Sequence, residues 1–168
     1  TLTAQVNYAT PAADASEKYF ITYGRGENSF SVFNAFTQIH SEETEFPVYG
    51  AAVADDGSFI LLTRSADYTL RVMFYDRDCS VRASYYLTGY ALSVAVSPSG
   101  DFAAVTSVEE ANGKFRSKIN IFRMSGGIAN ETVTVENALA GVCGFAAADR
   151  VAVAFPDRLT VLRTDGSV

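Results

Sequence analysis

The chain has 168 residues and a mass of 18.1 kDa, with 48% hydrophobic and 19% charged side chains, enough to bury a core and too apolar for a disordered tail. Thirteen basic against nineteen acidic residues leave a net charge of −6, which would repel a nucleic-acid backbone or an anionic membrane surface. One histidine and two cysteines exclude, by count, a metal centre rich in either.

The start, Thr1 to Val6, has neither a basic n-region nor an apolar h-region, and no run reaches the roughly 18 apolar residues of a membrane span. Thr10 to Asp14 reads as a turn, followed by strands at Tyr19–Tyr23 and Ser29–Phe33 with a hairpin turn over Gly24–Ser29 between them. His40 stands in a polar stretch leading to a fourth strand. Next come a small-residue strand (Tyr49–Ala54), an Asp-Asp-Gly turn, an apolar strand (Phe59–Thr63) and an alternating, bulky one (Leu70–Tyr75). A polar turn holding Cys79 leads to a polar strand, Ser80–Leu87. The same sequence of strands returns as Ala91–Val96, Phe102–Thr106, Lys118–Phe122 and Glu131–Glu136. It begins again as Ala140–Phe145, Val151–Phe155 and Leu159–Leu162, and stops at Thr164-Asp165-Gly166.

This return is a repeat. Gly50–Thr63 lays onto Ser93–Thr106 at an offset of 43, so that Gly57 meets Gly100, Phe59 meets Phe102 and Thr63 meets Thr106. An offset of 49 carries Val94, Val96 and Phe102 onto Cys143, Phe145 and Val151; one of 40 carries Phe59 and Thr63 back onto Tyr19 and Tyr23. Such spacings belong to propeller blades. Blades converge on an axis, so innermost strands favour Gly, Ala, Ser and Val, while outer strands need Phe, Tyr, Met and Leu to fill a widening wedge. The expected fold is therefore all-β: a WD40-like β-propeller segment spanning 1–168, with about four blades (roughly 2–48, 49–90, 91–138 and 139–168). Each blade is a four-stranded antiparallel sheet, the last incomplete. The missing strand would come from Leu2–Tyr8, closing a small ring, or the chain is part of a larger propeller whose open blade faces a second copy would cover.

Phe46–Gly57, Tyr68–Asp76 and Thr88–Gly100, with Arg116–Phe122 and Tyr23–Phe30, resemble an uncharacterised family of WD40-like propeller proteins from clostridia and related Gram-positive anaerobes. The resemblance implies a propeller outside the cell, carried by a short basic cytoplasmic segment and one N-terminal membrane anchor that would lie outside this chain. That family has no assigned activity, so it transfers no catalytic residue. The Trp-Asp and Gly-His dipeptides of eukaryotic WD40 repeats are absent from the sequence.

The chemistry-bearing residues form no coherent catalytic set. His40 has no second histidine to work with and reads as a surface residue. Gly24-Arg-Gly-Glu-Asn-Ser lacks the third glycine and the helix of a phosphate loop. No Gly-x-Ser-x-Gly elbow is present. The acidic clusters Glu42-Glu43-Glu45, Asp55-Asp56, Asp76-Asp78 and Glu109-Glu110 read as solvated turns and edges rather than a glycosidase pair. Asp55-Asp56-Gly57 reads as a hairpin turn rather than a calcium loop, because its equivalents lose the carboxylates. Ten arginines against three lysines place Arg64, Arg71, Arg82, Arg116 and Arg123 among aromatics on outer strands, for stacking and cross-strand pairing or as an anion-recognising rim. Cys79 and Cys143 read as unpaired thiols, and Asn130-Glu131-Thr132 matches a glycosylation acceptor.

No catalytic, cofactor-binding or metal residue is therefore assigned, and no cofactor. The expectation is a non-enzymatic binding or scaffolding propeller on the outer face of a bacterial membrane, engaging a protein or cell-wall polymer and no nucleic acid. Its contacts would be made by the links into the first strands: Phe46–Tyr49, Thr88–Ala91 and Asn137–Ala140. The alternatives are a saccharide hydrolase or lyase, with carboxylates or a carboxylate and Tyr90 at the axis, and a spacer or assembly module without a small ligand.

Overall fold

The structure, a computed structural model, describes residues 3–67, 70–125 and 129–167. All of its regular elements are β-strands, and the chain divides into two compact units, Thr1–Tyr86 and Leu87–Val168.

The first unit holds two antiparallel sheets, each in sequence order. One contains β1 (Pro11–Ala15), β2 (Tyr19–Gly24), β3 (Ser29–Asn34) and β4 (Gln38–Glu43). The other contains β5 (Val48–Val53), β6 (Phe59–Thr63), β7 (Leu70–Tyr75) and β8 (Val81–Leu87). The second unit repeats the plan with β9 (Tyr90–Val96), β10 (Phe102–Ala111), β11 (Lys114–Arg123) and β12 (Ala129–Glu136). Its other sheet has three strands: β13 (Cys143–Ala147), β14 (Arg150–Ala154) and β15 (Leu159–Arg163). These are four propeller-type blades, the last one a strand short, as the repeat implied.

The strand interiors follow the expected gradient. Ile21, Phe30, Val32, Val48, Phe59, Leu61 and Tyr75 form one buried cluster that joins the two sheets of the first unit. Phe59 and Tyr75 stack at 4.5 Å between ring centroids, and Phe30 meets both edge-on or tilted at 5.7–5.8 Å. Truncating such an aromatic to alanine removes about 3–5 kcal/mol. In the second unit the corresponding cluster runs from Ala104, Ile119 and Ile121 to Cys143, Val151, Val153 and Leu162.

Three expectations are corrected. Residues 10–14 are not a turn: Pro11–Ala15 is the small-residue first strand of its blade, with Pro11 paired to Gly24 at one end and Ala15 to Phe20 at the other. Proline is tolerated there because it is the strand's first residue on the sheet edge. Of the two sources expected for the missing strand, the start of the chain adds none to the last sheet among the described residues. Thr1 and Leu2 lie outside the described residues, and residues 3–8 form no strand. The hydroxyl of Tyr8 instead donates to the Thr22 carbonyl at 3.3 Å, and Glu27 accepts from the Ala9 and Thr10 amides, which fixes this segment on its own sheet. Arg64 lies beyond the end of β6, its amide bonded to the Pro47 carbonyl, and not on an outer strand.

Boundaries shift in places. Tyr68, quoted with the β7 strand, lies outside the described residues. The strands expected at 102–106 and 118–122 run on to Ala111 and back to Lys114, meeting at an Asn112-Gly113 tip where both residues have positive φ. This hairpin is ten residues long on each side, against five or six for the middle strands of the other blades.

One turn recurs. Asp56, Asp78 and Asp165 each accept, through Oδ1, the amide and hydroxyl of the serine two residues on, at 2.6–3.1 Å. The residue between them, Gly57, Cys79 or Gly166, has φ between 65° and 90°. Ala54, Asp76 and Arg163 close the three turns by donating to the carbonyls of Ser58, Ser80 and Ser167. The Asp side chain thus replaces backbone bonding that the reversal leaves open.

Candidate binding surface on the links into the first strands

In the second unit the link preceding β13 is held from below by buried hydroxyls. Ser117, fully buried on β11, donates to the Ala138 carbonyl at 2.7 Å and accepts the Ala140 amide at 2.8 Å. Thr106, fully buried on β10, donates to the Gly141 carbonyl at 3.0 Å. The Cys143 amide donates to Ser93 Oγ on β9 at 3.2 Å, and the Asn137 amide to the Phe115 carbonyl at 2.9 Å. Every turn of this link is therefore tied to the sheet beside it. Above those ties stand Leu139 and Val142, the latter 70% exposed.

The link preceding β9 is fixed with equal economy. Gly89 has φ 93°, and a Cβ there would lie 2.5 Å from the Val108 carbonyl oxygen, so backbone approaches backbone where only glycine fits. Thr88 donates to Glu109 Oε2 at 3.1 Å. Tyr90 then opens β9 opposite Val108 and is 72% exposed. The long β10–β11 hairpin beside these links is braced across its strands: Arg116 lies 2.8 Å from Glu136 and 3.8 Å from Glu109, and Lys118 lies 2.9 Å from Glu109. The Lys118 hydrogen bond, opposed by burial and helped by the Thr88 bond, holds the Glu109 carboxyl below the usual range. Near the tip, Phe115 is 65% exposed.

In the first unit, the corresponding link brings Val48 against the β2–β3 turn. The Gly26 amide donates to the Val48 carbonyl, and the Val48 amide to that of Glu27, both at 2.8 Å. Gly24–Ser29 is thus the expected hairpin turn. Tyr49, next in line, is exposed.

The remaining singled-out residues are placed as follows. His40 is on β4 itself, half-buried, with its side chain 27% exposed, Nε2 3.0 Å from Glu42 and its ring tilted against Phe30. Arg71 lies over the Tyr86 ring and Arg82 pairs with Asp76, the stacking and pairing expected of outer-strand arginines. Arg123 ends β11, exposed. Asp55 accepts the Glu17 amide and Asp56 is spent on Ser58, so the Asp-Asp-Gly segment is a hairpin turn. Glu110 accepts the Gly113 amide at the hairpin tip. Cys79 and Cys143 are free thiols, both pushed up mainly by burial. The buried hydroxyls Ser117 and Thr106, and the half-buried Ser93, were not singled out from sequence as supports of a link. Their only signal is a Ser or Thr at a core-facing position between apolar neighbours.

A family model described as a family of unknown function (DUF5711) matches residues 3–161. The chain belongs to this family. Among curated proteins nothing matches the sequence. Among solved structures, the chain is similar to one of the hydrazine synthase of Kuenenia stuttgartiensis, with a TM-score of 0.69 at 14% identity. The match covers 88% of this chain and 50% of that one, so the chain spans half the length of its structural relative. At that identity the likeness is one of fold, and the fold is a propeller.

Proposed function

We propose that this family member is a non-enzymatic binding or scaffolding module that stands outside a bacterial membrane, held by an anchor beyond this chain, and grips a protein or a cell-wall polymer through the links into its first strands. The observation that carries this reading is the pairing of exposed apolar side chains with rigid support. Tyr90, Leu139 and Val142 are exposed, while the backbone beneath them is tied by Ser117, Thr106 and Gly89. Exposed apolar groups on links that cannot relax lose little conformational freedom on contact, which is how loops on a stiff scaffold gain affinity. Aromatic and aliphatic side chains of this kind serve both protein partners and the apolar faces of saccharides.

Purified cell-wall polymer and a crosslinked membrane-protein fraction are the two arms of the test. The full chain is expected to sediment with one of them, and a Tyr90→Ser, Val142→Ser variant of unchanged stability is expected to lose that association. Equal association of both forms would overturn the reading.

A further inference from the structure

The first unit contains a cavity of about 200 Å³ where its two sheets diverge. Its position follows from register. Phe59 pairs with Tyr75, Leu61 with Met73 and Thr63 with Arg71, so Tyr75, Met73 and Arg71 project from one face of their sheet. On the facing sheet Phe30 pairs with Glu42 and Val32 with His40. Aromatic packing of Phe30, Phe59 and Tyr75 fills the narrow part of the wedge. Beyond it the outer strand β4 brings Glu42 to the cavity lining. The space that remains is lined by Glu42, Glu45, Thr63, Arg71, Met73 and Tyr75.

Two features of this lining set it apart from a packing defect. Tyr75 is 1% exposed, and its hydroxyl has no hydrogen-bond partner among the described residues. Buried hydroxyls are almost always satisfied, so an unpartnered one on a residue that lines a cavity marks a place for a partner. This phenol is pushed up to about 12, by burial first and then by the Glu42 charge, so it keeps its proton and can donate. Arg71 is held rigid: its Nε and Nη2 donate to Ser84 Oγ at 3.2 and 3.1 Å, and its guanidinium lies 5.8 Å from the centre of the Tyr86 ring. No carboxylate lies within 4.0 Å of it among the described residues, although Glu42 and Glu45 share its cavity. Both signs of charge thus line one cavity, where Glu42 Oε2 is also 3.0 Å from His40 Nε2.

We propose that this cavity binds a small zwitterion of the α-amino-acid class. Its carboxylate would be received by Arg71 and the Tyr75 hydroxyl on the β7 wall, its ammonium by Glu42 and Glu45 on the opposite wall, and a short side chain would lie against Met73. A volume of about 200 Å³ lies below that of drug-sized pockets and suits a small ligand such as an amino acid. A simple anion meets two carboxylates, a simple cation meets Arg71, and an uncharged sugar leaves both signs unanswered. Only a ligand carrying both charges matches both walls.

Calorimetric titration of the full chain with glycine, alanine and serine tests this, against acetate, methylammonium, N-acetylalanine amide and glucose. Saturable binding of at least one free amino acid is expected, with none of the four comparators binding as tightly. Tyr75→Phe removes only an unpartnered hydroxyl, so it keeps the fold, and it is expected to weaken binding about ten- to hundred-fold, as is Arg71→Gln. Three results would overturn the proposal: no saturation by any amino acid, a comparator that binds equally well, or an affinity unchanged by Tyr75→Phe. The site lies in the first unit, so its failure leaves the Tyr90 surface of the second untouched.

Discussion

Asp14 Oδ2 accepts the Val53 amide at 3.0 Å, joining the first strands of two successive blades across 39 residues of sequence. Burial raises the Asp14 carboxyl above its ordinary 3.8, and the bonds to Val53 and Ala15 only partly oppose this. Asp78 and Asp165 move the other way, lowered by the hydroxyl and amide of Ser80 and Ser167. A carboxyl raised on folding favours the native state below its unfolded pKa, and that share is lost as pH rises through the folded value. A lowered one contributes above its unfolded pKa and loses its share as pH falls through the folded value. Carboxyl NMR titration is expected to place Asp14 above 3.8 and both turn aspartates below it. In denaturant unfolding, Asp14→Asn should gain on the parent chain as pH rises from about 3 to about 6. The reverse trend would mean that the Val53 bond outweighs burial.

Ser117 carries both a donor and an acceptor into the link before β13. Ser117→Ala strands the buried Ala140 amide and the Ala138 carbonyl, and is expected to cost about 1–3 kcal/mol in urea unfolding. Hydrogen exchange should rise first at residues 138–142 and leave the β13–β14 ladder protected. Uniform loss of protection would show that the hydroxyl stabilises the whole unit rather than the link.

Gly89 and Gly113 both have positive φ, but only Gly89 faces a backbone oxygen, while a Cβ at Gly113 meets open space. Gly113→Ala is expected to cost about 1–2 kcal/mol, the ordinary penalty of the left-handed region. Gly89→Ala should cost clearly more, because Val108 must also move. Thermal unfolding of the two variants side by side checks this; equal losses would mean that the link yields without strain.

Strand order and blade number were readable because they rest on patterns that repeat: small residues, then a turn, then apolar and bulky alternating strands. β6 and β7 were legible to the residue, since Phe59–Thr63 and Leu70–Tyr75 are bounded by turn residues at both ends. β1 was misread because Pro11 and Asp14 carry turn chemistry, while the bond that makes Asp14 useful reaches a strand 39 residues away. The same holds for the sites. Exposed Tyr90 lay on a link already marked for binding, but Ser117, Thr106 and Tyr75 are ordinary strand residues in sequence. Their roles come from partners, or a missing partner, that only packing brings to them.

β15 is the outer strand of a three-stranded sheet and exposes Leu159 and Val161, whereas Leu70, Val72 and Phe74 on the equivalent β7 are buried. We propose that this edge of the three-stranded sheet pairs with a second copy of the chain, because an antiparallel edge is complementary to itself across a two-fold axis. Sedimentation should show self-association that grows with concentration, and Val161→Lys should abolish it. A parent chain that stays monomeric throughout would contradict this.

The central claim is that the second unit binds through the apolar groups on its tied links. Its most direct measurement is cosedimentation of the chain with purified cell-wall polymer, or crosslinking to membrane proteins, comparing the parent with Tyr90→Ser, Val142→Ser at matched stability. The predicted result is association by the parent and a loss of about ten-fold or more in the variant, in line with removing two exposed apolar side chains from a binding surface. Association that is equal in both, or absent from both arms, would contradict it.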